Sequence, residues 1–300
     1  MSFIIENIAN IKSRIRAAAG FSGRNPNEIK LLLATKTVSA TNIITALETG
    51  ETLIGENKVQ ELKEKFEAIK VIPHQTHFIG HLQTNKVKEV IKYADCIQSV
   101  DRLELAEKLQ KRLEFEDRTI DVFIQVNTSY EASKFGVSPE NTLTFAQQVK
   151  QLDRLNIKGL MTIGLFSAET EKVRKCFQLL KNIQLRMLEK DLPVYDLSMG
   201  MSNDLETAIE EGSTIIRVGT AIFGKRPYPD SYYWNNNIEL THRCKHICKP
   251  LQANPQTKVC KRASTFPTRV NYFLKFPFLQ KFLNPPTFSR HIKTKTLTRQ

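Results

Sequence analysis

The chain has 300 residues, 41% hydrophobic and 25% charged, a composition that supports a full globular core and either one large domain or two small ones. Its formal charge of +13 is unevenly placed: from Asn235 onward thirteen Lys and Arg face one acid, Glu239, whereas the first 234 residues hold 31 basic and 30 acidic side chains. The near-neutral body excludes a nucleic-acid reading of the whole protein from its charge, no apolar run reaches the ~20 residues of a membrane span, and five scattered cysteines give no disulfide framework.

The first six residues lack the basic region and long apolar core of a secretory signal, so a cytoplasmic location is expected. Residues 2–19 place Ile4, Ile8, Ile11, Ile15 and Ala18 at helical spacing, and Gly20 and Gly23 are expected to end that helix. Residues 30–36 then run from Lys30 through Leu31, Leu32, Leu33 and Ala34 to Lys36. A short continuous apolar run of this kind predicts a strand buried on both faces, as in a parallel sheet, with Lys36 at its carboxyl end.

The same alternation repeats. Further strands are predicted at 52–57, 76–81, 96–100, 120–127, 157–164, 195–199 and 214–220. Helices are predicted through Ile43, Ile44 and Leu47, and at 59–69, 86–93, 102–115, 139–152, 169–188 and 204–211. Eight short strand–helix units predict an α/β protein of the (β/α)8 TIM-barrel type over residues 1–230. An open doubly wound sheet is the alternative, but the G-x-G-x-x-G of its usual first turn is missing from the sequence. In a barrel the carboxyl ends of the strands converge on one mouth, which would gather Lys36, Asn57, His81, Asn127, Thr162, Ser198 and Arg217.

Two loops at that mouth carry anion-binding chemistry. Residues 198–204, Ser-Met-Gly-Met-Ser-Asn-Asp, lead into a helix that Ser202 or Asn203 is expected to cap. Gly219 and Thr220 close the eighth strand with backbone N–H groups and a hydroxyl. Loops seven and eight of a barrel are a common place for phosphate. A strand-end lysine facing a phosphate cradle points to pyridoxal phosphate, whose aldehyde takes an amine as an imine and whose phosphate anchors the other end. Burial would lower that lysine's pKa and make it nucleophilic. Arg217 stands inside an apolar strand, where an unpaired charge is costly. It either pairs with an interior carboxylate such as Glu56 or faces the pyridine nitrogen and keeps it unprotonated.

Five blocks of the sequence, in order, then carry a resemblance. They are Leu32-Leu33-Ala34-Thr35-Lys36-Thr37, Gly55-Glu56-Asn57-Lys58-Val59-Gln60-Glu61, the run from His77 to Lys86, Leu197-Ser198-Met199-Gly200-Met201-Ser202, and the run from Glu211 to Gly224. Together they resemble the pyridoxal phosphate homeostasis protein family over about residues 1 to 230. The resemblance implies a barrel like the alanine racemase N-terminal domain, with pyridoxal 5′-phosphate held as an imine on Lys36. It also implies Asn57 near the cofactor ring, Ser202, Gly219 and Thr220 on the phosphate, and Arg217 against the pyridine nitrogen. The family is regarded as a carrier or regulator of vitamin B6 and amino-acid pools without an established catalytic reaction. A monomer, with pyridoxal-phosphate-dependent apoenzymes as recipients, is the expectation. Lys58 departs from the aromatic residue of many relatives, and the tail is a further departure.

An amino-acid racemase-type enzyme is the alternative function. Metal binding by His74, His77, His81 and Cys96, or by His242, Cys244, His246 and Cys248, is disfavoured because neither set has the compact spacing of a metal site. Residues 235–300 carry six prolines and isolated phenylalanines without a sustained period, and are expected to be a disordered basic tail. The tail either binds nucleic acid or a membrane surface through basic residues interleaved with aromatics, or is an extension without a role.

Overall fold

A computed structural model describes residues 2–224, and the expectations for residues 235–300 lie outside the described residues. Eight strands form the centre: β1 (Lys30–Ala34), β2 (Leu53–Glu56), β3 (Gln75–Phe78), β4 (Cys96–Val100), β5 (Ile120–Gln125), β6 (Leu155–Met161), β7 (Asp196–Ser198) and β8 (Ile215–Val218). They pair in parallel in chain order, and β8 returns to β1 with Lys30 opposite Ile215 and Leu32 opposite Arg217. The helices are α1 (Phe3–Phe21), α2 (Ala40–Leu47), α3 (Val59–Ile69), α4 (Val87–Val90), α5 (Leu103–Phe115), α6 (Thr142–Lys150), α7 (Thr170–Leu188), α8 (Leu205–Glu210) and α9 (Thr220–Phe223). The closed barrel is the fold expected from the sequence.

The β1 sequence shows why it closes. Leu31, Leu32 and Leu33 are all buried, but their side chains alternate between two cores. Leu31 and Leu33 pack in the shell between barrel and helices, whereas Leu32 joins Leu53, Cys96, Phe123, Met161 and Ile215 inside the barrel. Each such leucine contributes ~1.5–3 kcal/mol by leaving water, so the continuous apolar run is satisfied only with both faces covered.

Helix α1 seals the seam where the barrel closes. Ile4, Ile8, Ile11 and Ile15 are buried on its inner face. Arg14 grips Glu206 of α8 through Nε–Oε1 (2.7 Å) and Nη2–Oε2 (2.9 Å). Arg24 donates to the carbonyls of Ile209 and Ser213, both at 2.8 Å. The last strand–helix unit is thereby fastened to the segment that leads into the first strand.

Three expectations are corrected. Helix α1 runs through Gly20 to Phe21, so Gly20 does not end it, whereas Gly23 closes it as expected: at φ 64° it turns the chain so that the Arg24 N–H returns to the Ala19 carbonyl at 2.8 Å. Residues 86–93 do not form one helix: a 3₁₀ turn, Thr84–Lys86, is followed by the single turn of α4. The chain must then enter β4 at Cys96, and Asp95 accepts the Thr76 N–H at 2.7 Å just before it. The strands also end earlier than their apolar runs, so Lys36, Asn57 and His81 lie in the loops beyond the ladder.

Candidate functional site at the barrel mouth

The segment around Lys36 is clamped from below. Thr35 is buried and donates its N–H to the Gly55 carbonyl at 2.8 Å. Its hydroxyl reaches the same carbonyl at 3.1 Å and Glu56 Oε1 at 3.2 Å. Lys65, from α3, places its Nζ 2.9 Å from the Thr35 carbonyl, 2.5 Å from Glu56 Oε1 and 2.8 Å from Glu61 Oε2. An ammonium has three hydrogens, and here three acceptors receive them. Glu61 also accepts the N–H of Thr37 at 2.7 Å. Thr37 sits at φ 64°, a left-handed conformation that a threonine holds only when its surroundings fix it. Both neighbours of the half-buried Lys36 are therefore pinned to the α3 cluster. Burial pushes the Glu56 carboxyl up to about 7, against the opposing pull of Lys65.

Arg217 lies inside the barrel, 6% exposed. Its Nη1 donates to Ser198 Oγ at 2.8 Å and its Nη2 to the Thr162 carbonyl at 2.7 Å. The alternative pairing with Glu56 does not form, because Lys65 occupies that carboxylate. Burial lowers the Arg217 guanidinium to about 10, with Asp204 acting to raise it, so the group stays cationic near neutral pH.

The end of β8 meets the lysine segment, and the loop after β7 lies at the same mouth. A Cβ on Gly219 would lie 3.0 Å from the Ala34 carbonyl oxygen, so a side chain there would crowd the end of β1. That approach sets Gly219 and Thr220 beside the stretch that ends in Lys36. Ser202 is half-buried, and its carbonyl accepts from Arg14 Nη2 at 3.1 Å. The expected cap is corrected: Asp204, not Ser202 or Asn203, stands at the start of α8, and its Oδ1 takes the Met201 N–H at 2.5 Å. Neither Ser202 nor Asn203 is thus spent on capping the helix.

Asn57 completes the ring of groups. Gly80 approaches it so closely that a Cβ there would lie 2.1 Å from the Asn57 carbonyl oxygen. The buried Asn57 Oδ1 has no hydrogen-bond partner among the described residues, which is how an acceptor kept for a ligand looks, whereas His81 Nδ1 lies 3.9 Å from Asp101 Oδ2. The His81 ring stacks on Phe135 at 3.7 Å. Asn127 lies just past the end of β5, but its Nδ2 is spent on the carbonyls of Glu131 and Lys134 in its own loop. Thr162 turns its hydroxyl to the Val126 carbonyl at 2.8 Å and meets Thr128.

This arrangement fits a ligand with an aldehyde at one end and a phosphate at the other. It offers a lysine amine, a donor-only cation in the barrel, a spare amide acceptor and two loops of small residues. Sequence reasoning missed Lys65 and Glu61. The four-residue spacing of Glu61 and Lys65 on one helix was the available signal for both.

Comparison with known proteins agrees with this geometry. Residues 7–227 match the family model described as alanine racemase, N-terminal domain. The pyridoxal phosphate homeostasis protein of Pseudomonas aeruginosa is 41% identical over 228 residues, covering 76% of this chain and 98% of that protein. A crystal structure of an unknown protein from Bifidobacterium adolescentis superposes with a TM-score of 0.71 at 37% identity, covering 74% of this chain and 94% of that one. PipY of Synechococcus elongatus PCC7942, with PLP bound, superposes with a TM-score of 0.65 at 29% identity, covering 74% of this chain and all of that one (100%).

Proposed function

The chain belongs to the pyridoxal phosphate homeostasis protein family, and from that premise we propose that it binds pyridoxal 5′-phosphate at the barrel mouth and serves intracellular vitamin B6 and amino-acid homeostasis. The observation that carries this reading is the clamped Lys36 segment, which shares one mouth with Arg217 and the β7 and β8 loops. When bound, the cofactor supplies an aldehyde carbon to an amine and a phosphate dianion to a set of donors. Lys36 provides the amine. Ser202, Gly219 and Thr220 hold the phosphate, Asn57 orients the ring, and Arg217 faces the ring nitrogen as a cation that has no proton to lose near neutral pH. A visible spectrum of the purified protein, with and without added pyridoxal phosphate and before and after borohydride, tests the proposal.

The phosphate contacts give a graded prediction. Ser202→Ala and Thr220→Val should each weaken cofactor binding by ~1–3 kcal/mol, the worth of one charge-assisted hydrogen bond. Added cofactor at 100 times its Kd should stabilise the wild type by ~2.7 kcal/mol, and each variant less at the same concentration. Melting curves that ignore pyridoxal phosphate would contradict the cradle.

The same proposal includes a cytoplasmic monomer that hands its cofactor to pyridoxal-phosphate-dependent apoenzymes. Among the described residues no helix is long and apolar enough to cross a membrane. Residues 1–230 are proposed as the cofactor-binding unit, because the barrel closes at β8 on β1 and α9 ends at Phe223. A chain ending at Trp234 should therefore fold and bind pyridoxal phosphate with unchanged affinity. It should also lose most salt-sensitive binding to polyanions, since the removed segment carries thirteen of the basic residues. Loss of cofactor binding on truncation, read from the same spectrum, would refute the boundary.

A further inference from the structure

Below the mouth, the barrel interior holds a line of polar side chains from four strands. Arg217 of β8, Ser198 of β7, Gln98 of β4 and His77 of β3 are 6%, 0%, 0% and 7% exposed. Arg217 Nη1 donates to Ser198 Oγ at 2.8 Å, and Ser198 Oγ donates to Gln98 Oε1 at 2.6 Å. Gln98 Nε2 then meets His77 Nδ1 at 2.6 Å. Polar groups cost stability in such a core unless each is satisfied, and apolar residues of the same layer, such as Met161 and Phe123, show what could have filled it.

The direction of every bond follows from one end. A guanidinium can only donate, so Ser198 Oγ accepts there and its single hydrogen goes to Gln98. Gln98 uses its oxygen on Ser198, leaving its NH₂ for His77. With the Gln98 NH₂ turned toward it, His77 Nδ1 accepts, the arrangement of a neutral ring with its hydrogen on Nε2. Burial agrees with this, lowering His77 to about 4. The His77 ring also borders a cavity of about 280 Å³ at the amino end of the barrel, together with Lys30, Asp121, Lys158 and Asp196. The line thus runs from the guanidinium beneath one mouth to a polar cavity at the other.

We propose that Ser198, Gln98 and His77 are positioning residues that fix the plane and the full charge of the Arg217 guanidinium where it meets the ring nitrogen of bound pyridoxal phosphate. The inference rests on the cofactor reading above. Ser198 and the Thr162 carbonyl are two neutral acceptors that fix two guanidinium nitrogens without cancelling the charge, as a carboxylate would. Ser198 holds one orientation because Gln98 takes its hydrogen, and the same bond turns the Gln98 NH₂ toward His77 Nδ1.

Two measurements test this. Nitrogen-15 NMR of the cofactor-free wild type at pH 7 should show His77 with an unprotonated, hydrogen-bonded Nδ1 and a protonated Nε2. In Gln98→Leu, which keeps the volume and removes the bonds, the two tautomers should mix. Loaded with pyridoxal phosphate, Gln98→Leu should bind about tenfold more weakly, the loss of roughly one charge-assisted contact. The pH midpoint of its visible absorbance should also move, whereas Met161→Leu, a packing change in the same layer, should leave that midpoint in place. Ser198→Ala should reproduce the spectral shift if Gln98→Leu fails to fold. A wild-type His77 protonated at Nδ1, or relay variants with wild-type affinity and midpoint, would overturn the proposal. A wild type that binds no pyridoxal phosphate overturns the cofactor reading and this inference with it, a result distinguished by the absence of any spectrum to shift.

Discussion

Lys36→Ala is expected to abolish covalent retention of pyridoxal phosphate and its visible absorbance while leaving the barrel folded. The side chain is half-buried and lies beyond the last residue of β1, so its removal opens no cavity in either core. The backbone around it is held by other groups: Thr35 by Gly55 and Lys65, and Thr37 by Glu61. Stability should change by no more than ~0.5–1 kcal/mol, as for other substitutions outside a core. Borohydride treatment of the loaded wild type followed by peptide mapping should place the modified lysine at position 36. Lys134 Nζ donates to the Gly164 carbonyl at 2.8 Å, and all three hydrogens of Lys65 are taken. A reduced adduct on either of those, or a variant that keeps the absorbance, would refute Lys36 as the anchor.

The barrel was legible because each strand is a short apolar run bounded by turn residues, and eight such runs alternating with helical periods admit few architectures. Strand ends were less legible. The strands end at Ala34 and Val218, although Thr35 still donates its N–H to Gly55 across to β2, and the residues just past them make the mouth. Lys36, Arg217 and the Gly219-Thr220 pair stood out because each breaks an apolar pattern with a group that has a definite chemistry. Lys65 did not stand out. It is one of several charges on α3, and only the pairing of β1 with β2 brings Thr35 and Glu56 under it. Gln98 was hidden in the same way: its strand reads as a plain β segment, and its meaning comes from Ser198, a hundred residues later, and from His77 on the neighbouring strand. Asn127 stands at its strand's end, but its amide is spent in its own loop, because side-chain amides satisfy nearby loop carbonyls as readily as a distant site.

Lys65→Met should be among the most damaging single changes to the fold, and its cost should depend on pH. The Glu56 side chain is 1% exposed and that of Lys65 13%, and their 2.5 Å contact is the closest charge pairing in the α3 cluster. Removing one member of a buried pair leaves the other uncompensated, at a cost of about 3–5 kcal/mol. Glu56 has one escape, to take up a proton. Its carboxyl is already pushed up to about 7 by burial, and loss of Lys65 raises it further. In the unfolded chain it ionises near the usual carboxylate value, so between that value and the raised one the folded state binds more protons. Stability in this window therefore falls as pH rises. The deficit of Lys65→Met should accordingly be smaller at pH 5.5 than at pH 8 in denaturant unfolding. Adding Glu56→Gln to it should recover part of the loss at pH 8 by removing the buried charge. Cofactor affinity should fall as well, because the carbonyl of Thr35 loses the donor that fixes the backbone next to Lys36. A Lys65→Met protein as stable as wild type at pH 8 would show that the cluster does not hold the lysine segment in place.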